Sequence, residues 1–158
     1  MSGFCFNEEN SKKFEKLKKR YPDIKSLTLP GLWLIQEQEG WISLEAMKYL
    51  AKKLDLSEAD IYSVATFYTM FKLEPKGKYY ICLCKTASCK LRGSQKILQK
   101  IEKKLGIKPG ETTPDGKFSL EEVECLGACG NAPAMSLNDI YHENLTVDKI
   151  ENILDGLE

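Results

Sequence analysis

Apolar residues recur at helical spacing through the first half of the chain, which predicts a group of amphipathic helices. A lysine-rich segment carries Phe14, Leu17 and Tyr21 at this spacing and is predicted to end as a helix at a Tyr-Pro pair. Ser43 and Ser57 are predicted N-caps of two further helices, because a serine hydroxyl can accept a hydrogen bond from an unpaired backbone N–H of the first turn. The apolar positions predicted to face inward are Leu44, Met47, Leu50, Ala51 and Leu54 in one helix, and Ile61, Val64, Ala65, Tyr68 and Phe71 in the other.

A Pro30-Gly31 pair lies between the first two of these helices and is expected to break the structure there. The apolar patch that follows it, 32–35, is about as long as a strand. The first half is otherwise predicted to be helical throughout.

The pattern changes after the short polar turn 74–77, and the chain is predicted to divide there into residues 1–74 and 75–158. The predicted elements of the second part are a strand at 79–84, a helix at 91–105 ending at Gly106, a strand at 118–124, a hairpin of 134–137 and 140–142, and a helix capped by Thr146. This order suits a small sheet covered by two helices, with a crossover connection between the first two strands. The chain is therefore expected to be an α+β protein.

The charge balance excludes a general nucleic-acid binder. Lys plus Arg and Asp plus Glu each number 23, so the net charge is zero. No run approaches the roughly 20 apolar residues that span a bilayer, and residues 1–13 lack the charged leader and apolar run of a secretory signal. We therefore expect a cytosolic chain or a soluble subunit of something larger.

Common motifs for nucleotide binding and for zinc-dependent catalysis are missing as well. The sequence has no GxGxxG motif, no P-loop and no HExxH motif. We expect that the chain binds no nucleotide cofactor by itself, so that any enzyme activity would belong to an assembled complex.

Four of the six cysteines form two short pairs, Cys84-x4-Cys89 and Cys125-x3-Cys129. Each pair is predicted to lie where a strand ends and a loop begins, and loops can wrap sulfur ligands around an object that a strand could not enclose. Clustered thiols in a reducing compartment indicate metal binding or redox chemistry. Four thiolates are the usual ligands of a [2Fe–2S] cluster. They also bind structural zinc, and a redox disulfide is a third interpretation.

Small residues around the second pair favour the iron–sulfur interpretation. Gly127, Ala128 and Gly130 would let backbone N–H groups approach cysteine or bridging sulfurs and tune the reduction potential. Both spacings also occur in zinc sites, so the residues by themselves leave zinc and a redox disulfide open.

The cysteine motifs lie within longer stretches that resemble a known family. CKTASCKLRG, TPDGKFSLEEVECLGACGNAPAM and NDIYHENLT, with the helical SVATFYTMF, closely resemble the small peripheral [2Fe–2S] subunits of respiratory complex I, the 24-kDa family. The resemblance covers nearly the whole chain. It implies a helical N-terminal bundle joined to a thioredoxin-like ferredoxin domain, with Cys84, Cys89, Cys125 and Cys129 as ligands of one [2Fe–2S] cluster.

The resemblance also implies a partner. FMN and the NADH site would belong to a partner subunit of NADH:quinone oxidoreductase, in a complex peripheral to the inner membrane on the cytoplasmic side. The N-terminal helices show no chemistry of their own, and we assign them to docking on that subunit. The alternatives are an equivalent subunit of an NAD-linked hydrogenase or formate dehydrogenase, and a zinc-stabilised interaction module.

The remaining cysteines and the one histidine are interpreted as structural. Cys82 would share a strand face with Cys84 and is expected to be a buried structural cysteine, although a decoy ligand is an alternative. Cys5 lies in an apolar patch near a terminus expected to be loose and is taken as incidental or as a partner contact. His142 is expected to have a structural or surface role, because the four matched cysteines already complete a ligand set.

Two groups of side chains keep two interpretations each. One group is the basic residues around the first cysteine pair, Lys85, Lys90 and Arg92. Their functional interpretation is that they offset the charge of an anionic cluster or contact a partner. Their structural interpretation is a rim of solvated side chains. The other group is four aromatic residues, for which packing in the core or against another subunit is favoured over stacking on a cofactor: Trp33, Trp41, Phe67 and Tyr68.

Overall fold

The computed structural model describes residues 3–157 and forms two compact units, one ending at Pro75 and the other starting at Lys76. The first unit is helical, and the second combines helices with a four-stranded sheet. The predicted α+β class is confirmed.

The first unit contains four α-helices and one short 3-10 turn. They are α1 (Glu8–Lys18), the 3-10 turn Ile24–Leu27, α2 (Thr28–Glu39), α3 (Leu44–Leu54) and α4 (Glu58–Phe67). The two predicted serine caps are confirmed, since Ser43 Oγ accepts from Ala46 N at 3.1 Å and Ser57 Oγ accepts from Asp60 N at 3.1 Å. Most predicted apolar positions of α3 are buried, but Leu44, the first residue after the cap, is 60% exposed.

Helix α2 corrects the predicted break at Pro30-Gly31. Both residues lie inside its first turn, where a proline costs little because its missing N–H would have no intrahelical partner. Gly31 lets α2 approach α3 closely, since a Cβ there would lie 2.7 Å from Leu50 Cδ1. The apolar patch 32–35 is therefore helical, and Leu32 and Ile35 are fully buried.

The described part of the N-terminal segment, residues 3–7, contacts the rest of its unit, which corrects the expectation of a loose terminus for these residues. The Phe4 and Phe6 rings lie 5.3 and 5.2 Å from the Tyr49 ring, both edge-on. The Cys5 carbonyl accepts a hydrogen bond from Gln38 Nε2 at 3.0 Å. Helix α1 itself ends at Lys18, before the predicted end at Tyr21, which is exposed.

The second unit is built on a sheet with the strand order β2-β1-β3-β4. Its elements are β1 (Tyr79–Cys84), α5 (Ala87–Leu91), α6 (Ser94–Leu105), β2 (Phe118–Val123), β3 (Met135–Leu137), β4 (Ile140–His142) and α7 (Val147–Asp155). Strands β1 and β2 are parallel, as the predicted crossover requires, and the other neighbours are antiparallel. The predicted hairpin is confirmed, with Asn138 and Asp139 both at positive φ in its turn.

The helix predicted over 91–105 starts later, at Ser94, as α6. Gly93, at a φ of 98°, separates α6 from the short helix α5, which ends at Leu91 and was not predicted. The end of α6 is as predicted, with Gly106 at a φ of 69°.

One face of the sheet forms the core of the second unit. Ile81 and Leu83 are alternate residues of β1, so both side chains lie on this face. On β2, the residue paired with Ile81 is Leu120, which is buried in the same core. Helices α6 and α7 bury Ile97, Ile101, Ile150 and Leu154 in the same cluster. The side of β1 that carries Cys84 therefore lies opposite the core.

Candidate metal centre

The first cysteine pair starts at the last residue of β1. Backbone hydrogen bonds fix this strand end on both sides, from Cys84 N to Ala134 O at 3.1 Å and from Lys85 N to Val123 O at 2.9 Å. Cys89 follows inside the short helix α5, so this pair lies at a strand end and on a helix where a loop was predicted. Cys84 and Cys89 are each only 2% exposed.

The second pair follows β2: Cys125 lies in a loop, as predicted, and Cys129 is the first residue of a short 3-10 helix, Cys129–Asn131. Cys125 and Cys129 are both exposed, and their Sγ atoms are 3.8 Å apart. Gly127 has a φ of 78°, in the left-handed region that favours glycine, and its N–H donates to Cys125 Sγ at 3.3 Å. The loop therefore already presents both sulfurs and one backbone donor together.

The sheet topology brings the two pairs to one place. Because β1 and β2 are parallel and Cys84 is in register with Val123, both strands end at the same edge of the sheet. Leu126, which lies between Cys125 and Cys129 in the chain, packs against the buried Cys84 and Cys89, so the two windows approach each other there. None of the six cysteines, all within residues 3–157, forms a disulfide.

The spacing of the sulfurs fits thiolate ligands of a metal. Two sulfurs on one tetrahedral ion, with metal–sulfur bonds of about 2.3 Å, lie about 3.8 Å apart. The separation of Cys125 Sγ and Cys129 Sγ is 3.8 Å. Within residues 3–157 no three or more His, Cys, Asp or Glu side chains are gathered as ligands of a single ion. The thiols are arranged as two pairs, and a cluster with four cysteine ligands on two irons calls for a pair on each.

The two buried thiols have different acidities. Burial acts to raise the pKa of Cys84, but hydrogen bonds from the Thr86 hydroxyl and from the backbone of Thr86 and Leu126 outweigh it, so this pKa is lowered. Burial raises the pKa of Cys89, and the neighbouring Cys84 and Cys129 raise it further, against a hydrogen bond from the backbone of Ala134. The donors at Cys84 thus favour the charged form that a metal ligand needs, whereas the surroundings of Cys89 favour its neutral thiol.

The other predicted side chains lie as follows. Cys82 is half-buried, which corrects the expected burial, and it faces Glu121 and Ser136 in the sheet register. Cys5 is exposed. His142 is half-buried at the end of β4.

The basic residues near the first pair do not act alike. Lys85 Nζ lies 2.9 Å from Glu124 Oε1, so this cation is paired within the protein. Lys90 and Arg92 are exposed and, within the part of the chain that the structure describes, take part in no ion pair.

Sequence reasoning missed the groups that donate hydrogen bonds to the first pair. Thr86 Oγ1 lies 3.2 Å from Cys84 Sγ, and backbone N–H groups of Leu126 and Ala134 reach the two buried sulfurs. The position of Thr86 between Cys84 and Cys89 in the sequence could have indicated a hydroxyl donor to one of these sulfurs. The donors of Leu126 and Ala134 had no such signal, unlike Gly127, because their positions depend on how the loops fold.

Comparisons with known proteins find relatives that match nearly the whole chain. The E subunit of the NADH-quinone oxidoreductase of Rickettsia conorii is 47% identical over 161 residues, covering 100% of this chain and 96% of that protein. The mitochondrial NADH dehydrogenase [ubiquinone] flavoprotein 2 of Dictyostelium discoideum is 46% identical over 158 residues, covering 98% of this chain and 64% of that protein.

A solved structure shares the fold. The H2-reduced NAD+-reducing [NiFe]-hydrogenase has a chain that matches 81% of this one with a TM-score of 0.70 and 22% identity, and the match takes up 22% of that chain. The sequence profile of the thioredoxin-like [2Fe-2S] ferredoxins matches residues 14–158, which confirms the predicted thioredoxin-like fold. The chain belongs to the thioredoxin-like [2Fe-2S] ferredoxin family.

Proposed function

We propose that this protein is the one-electron carrier subunit of an NADH:quinone oxidoreductase, with one [2Fe–2S] cluster held by Cys84, Cys89, Cys125 and Cys129. The observation that carries the proposal is the approach of two thiol pairs, neither in a disulfide, at one edge of the sheet. Relatives with that activity in their names match the chain over its full length, which supports the same assignment.

The four cysteines would serve two different sides of the site. When bound, a [2Fe–2S] cluster accepts and releases one electron at a time. Cys84 and Cys89 hold the buried side, where backbone and hydroxyl donors to Cys84 offset the cost of burying negative charge on that sulfur. Cys125 and Cys129 are exposed and hold the side that faces solvent or a partner.

The substrate chemistry would belong to a partner subunit. We assign FMN and the NADH site to that partner, which supplies electrons to this chain. No helix within residues 3–157 is long and apolar enough to cross a membrane. We place the chain on the cytoplasmic side of the inner membrane, as a peripheral part of the complex.

The first unit is proposed to dock on the flavin-carrying partner. Four aromatic rings of this unit are in edge-to-face contact, two of them exposed and Phe71 buried, and we call them the aromatic row: Trp33, Phe71, Tyr68 and Phe67. Phe67, at the end of this row, is 75% exposed, and Trp33 is 40% exposed. A large exposed ring in contact with others suits burial against another protein.

The cluster is tested on anaerobically purified protein. We expect two irons and two acid-labile sulfides per chain, visible absorption, and a rhombic EPR signal from one unpaired electron after reduction. Substitution of Cys84, Cys89, Cys125 or Cys129 by alanine should abolish the signal. Cys82→Ala and Cys5→Ala are the matched controls and should keep it. Stoichiometric zinc in a colourless protein would contradict the proposal and indicate the interaction module.

The host complex is tested by co-purification of the tagged chain from its source cells. We expect a flavin-containing NADH-binding subunit together with quinone-reductase components. A hydrogenase or formate dehydrogenase subunit in their place would keep the cluster but change the host.

A further inference from the structure

Thr86 occupies the N-cap position of α5 but does not cap it. Its backbone has the extended conformation of an N-cap, with φ −74° and ψ 167°, and its side chain makes no capping hydrogen bond. Thr86 Oγ1 instead lies 3.2 Å from Cys84 Sγ.

The other hydroxyl N-caps of the chain behave differently. The Ser43, Ser57 and Thr146 hydroxyls each accept a hydrogen bond, at 3.1 Å, from the N–H three residues further on. Threonine at such a position ordinarily stabilises its helix in this way. The Thr86 hydroxyl thus contacts the sulfur of Cys84, and the first turn of α5 lacks the capping hydrogen bond that this hydroxyl could accept.

The direction of this hydrogen bond follows from the charge of the sulfur. Between a thiol and a hydroxyl, either group can donate. A cysteine that ligates a metal is a thiolate without a proton, so the Thr86 hydroxyl must then be the donor. Cys84 is 2% exposed, so solvent competes little for the sulfur.

We propose that Thr86 is a positioning residue that raises the reduction potential of the cluster through its hydrogen bond to Cys84 Sγ, an inference that rests on the proposed function. Reduction adds negative charge to the cluster and its sulfur ligands. A hydrogen bond to a sulfur therefore stabilises the reduced form more than the oxidised form.

Thr86→Val tests the proposal, because valine keeps the shape of the side chain and removes the hydroxyl. We expect a more negative midpoint potential in a dye-mediated titration of the cluster-loaded protein followed by EPR. The expected change is about tenfold in the reduction equilibrium, which is 59 mV for a one-electron couple. Thr86→Ser should restore the potential.

Ser88→Ala is the matched control. Ser88 lies in the same segment and is exposed, and its hydroxyl makes no hydrogen bond within residues 3–157. Its removal should leave the potential unchanged. Pulsed EPR after exchange into D2O should also show a strongly coupled exchangeable hydrogen that is lost in Thr86→Val and kept in Ser88→Ala.

Two results would overturn the inference while leaving the proposed function intact. One is a Thr86→Val protein with a full cluster and the original potential, and the other is an equal shift in Ser88→Ala. If Thr86→Val does not assemble a cluster, Thr86→Ala supplies the hydroxyl-free variant for the same measurements. Absence of iron and sulfide from the unmodified protein would instead defeat the proposed function.

Discussion

Two threonines of the second unit occupy the same position at the start of a helix but use their hydroxyls differently. Thr146 Oγ1 accepts from Lys149 N at 3.1 Å, whereas Thr86 makes no such bond to α5. Thr146→Val should therefore lower the free energy of unfolding by about 1 kcal/mol, the usual value of a lost cap. Thr86→Val should cost clearly less in the metal-free protein, because the Thr86 hydroxyl makes no capping hydrogen bond to α5 that the substitution could remove.

The measurement has to report on the second unit alone. Both tryptophans, Trp33 and Trp41, lie in the first unit, so tryptophan fluorescence would follow the wrong part of the chain. Hydrogen exchange of β1 and α6 amides in urea reports on the right part. Equal losses in the two variants would mean that the Thr86 hydroxyl supports the fold, and the capping argument would fail.

At the scale of elements, the turn before β1 depends on the absence of a side chain at Gly77. A Cβ there would lie 2.9 Å from the backbone carbon of Phe118, and the Gly77 N–H donates to Ser119 Oγ at 2.7 Å. Because backbone cannot move aside as a side chain can, Gly77→Ala should cost about 2 kcal/mol of stability.

Gly156→Ala is the control for that substitution. Gly156 has a right-handed backbone, with φ −78°, and a Cβ there would meet its nearest atom at an ordinary 3.5 Å. We expect no loss in urea unfolding followed by hydrogen exchange of β1. A Gly77→Ala protein as stable as Gly156→Ala would show that the turn can move away from β2.

The elements that sequence predicted well are those whose signal is local. The caps at Ser43, Ser57 and Thr146 depend on a hydroxyl and the next three residues, and each was found. The break predicted at Pro30-Gly31 was wrong, because this pair lies in the first turn of α2. The pair itself does not show whether the proline falls in a first turn or between two helices. The break at Gly93 likewise depended on the backbone angle that a glycine takes.

At the scale of the whole molecule, the two cysteine pairs could be related from sequence through the strands that precede them. Cys84 and Cys125 are 41 positions apart, and a parallel β1–β2 pair brings both strand ends to one edge. The difference in exposure between the buried and exposed pairs could not be predicted this way. It arises because Cys84 and Cys89 pack with Ala132, a residue that only the folded loop brings to them.

The proposed docking of the first unit predicts that its most exposed aromatic ring, Phe67, contributes to the affinity for the partner subunit. Phe67 is 75% exposed at the end of the aromatic row, where it contacts Tyr68 with 5.0 Å between ring centroids. Burying such a side chain contributes about 1.5 to 3 kcal/mol. Phe67→Ala should therefore weaken binding to the purified flavin-carrying subunit by roughly 10- to 100-fold.

Ile140→Ala is the comparison for this substitution, because Ile140 is 66% exposed but lies in the second unit on the edge strand β4. Its binding should match that of the unmodified protein in the same titration. Tryptophan fluorescence should verify that Phe67→Ala leaves the first unit folded, since the substituted ring lies at the surface. Unchanged affinity in Phe67→Ala would mean that the partner does not contact the exposed end of the aromatic row. An equal loss in Ile140→Ala would mean that the loss of affinity is not specific to that row.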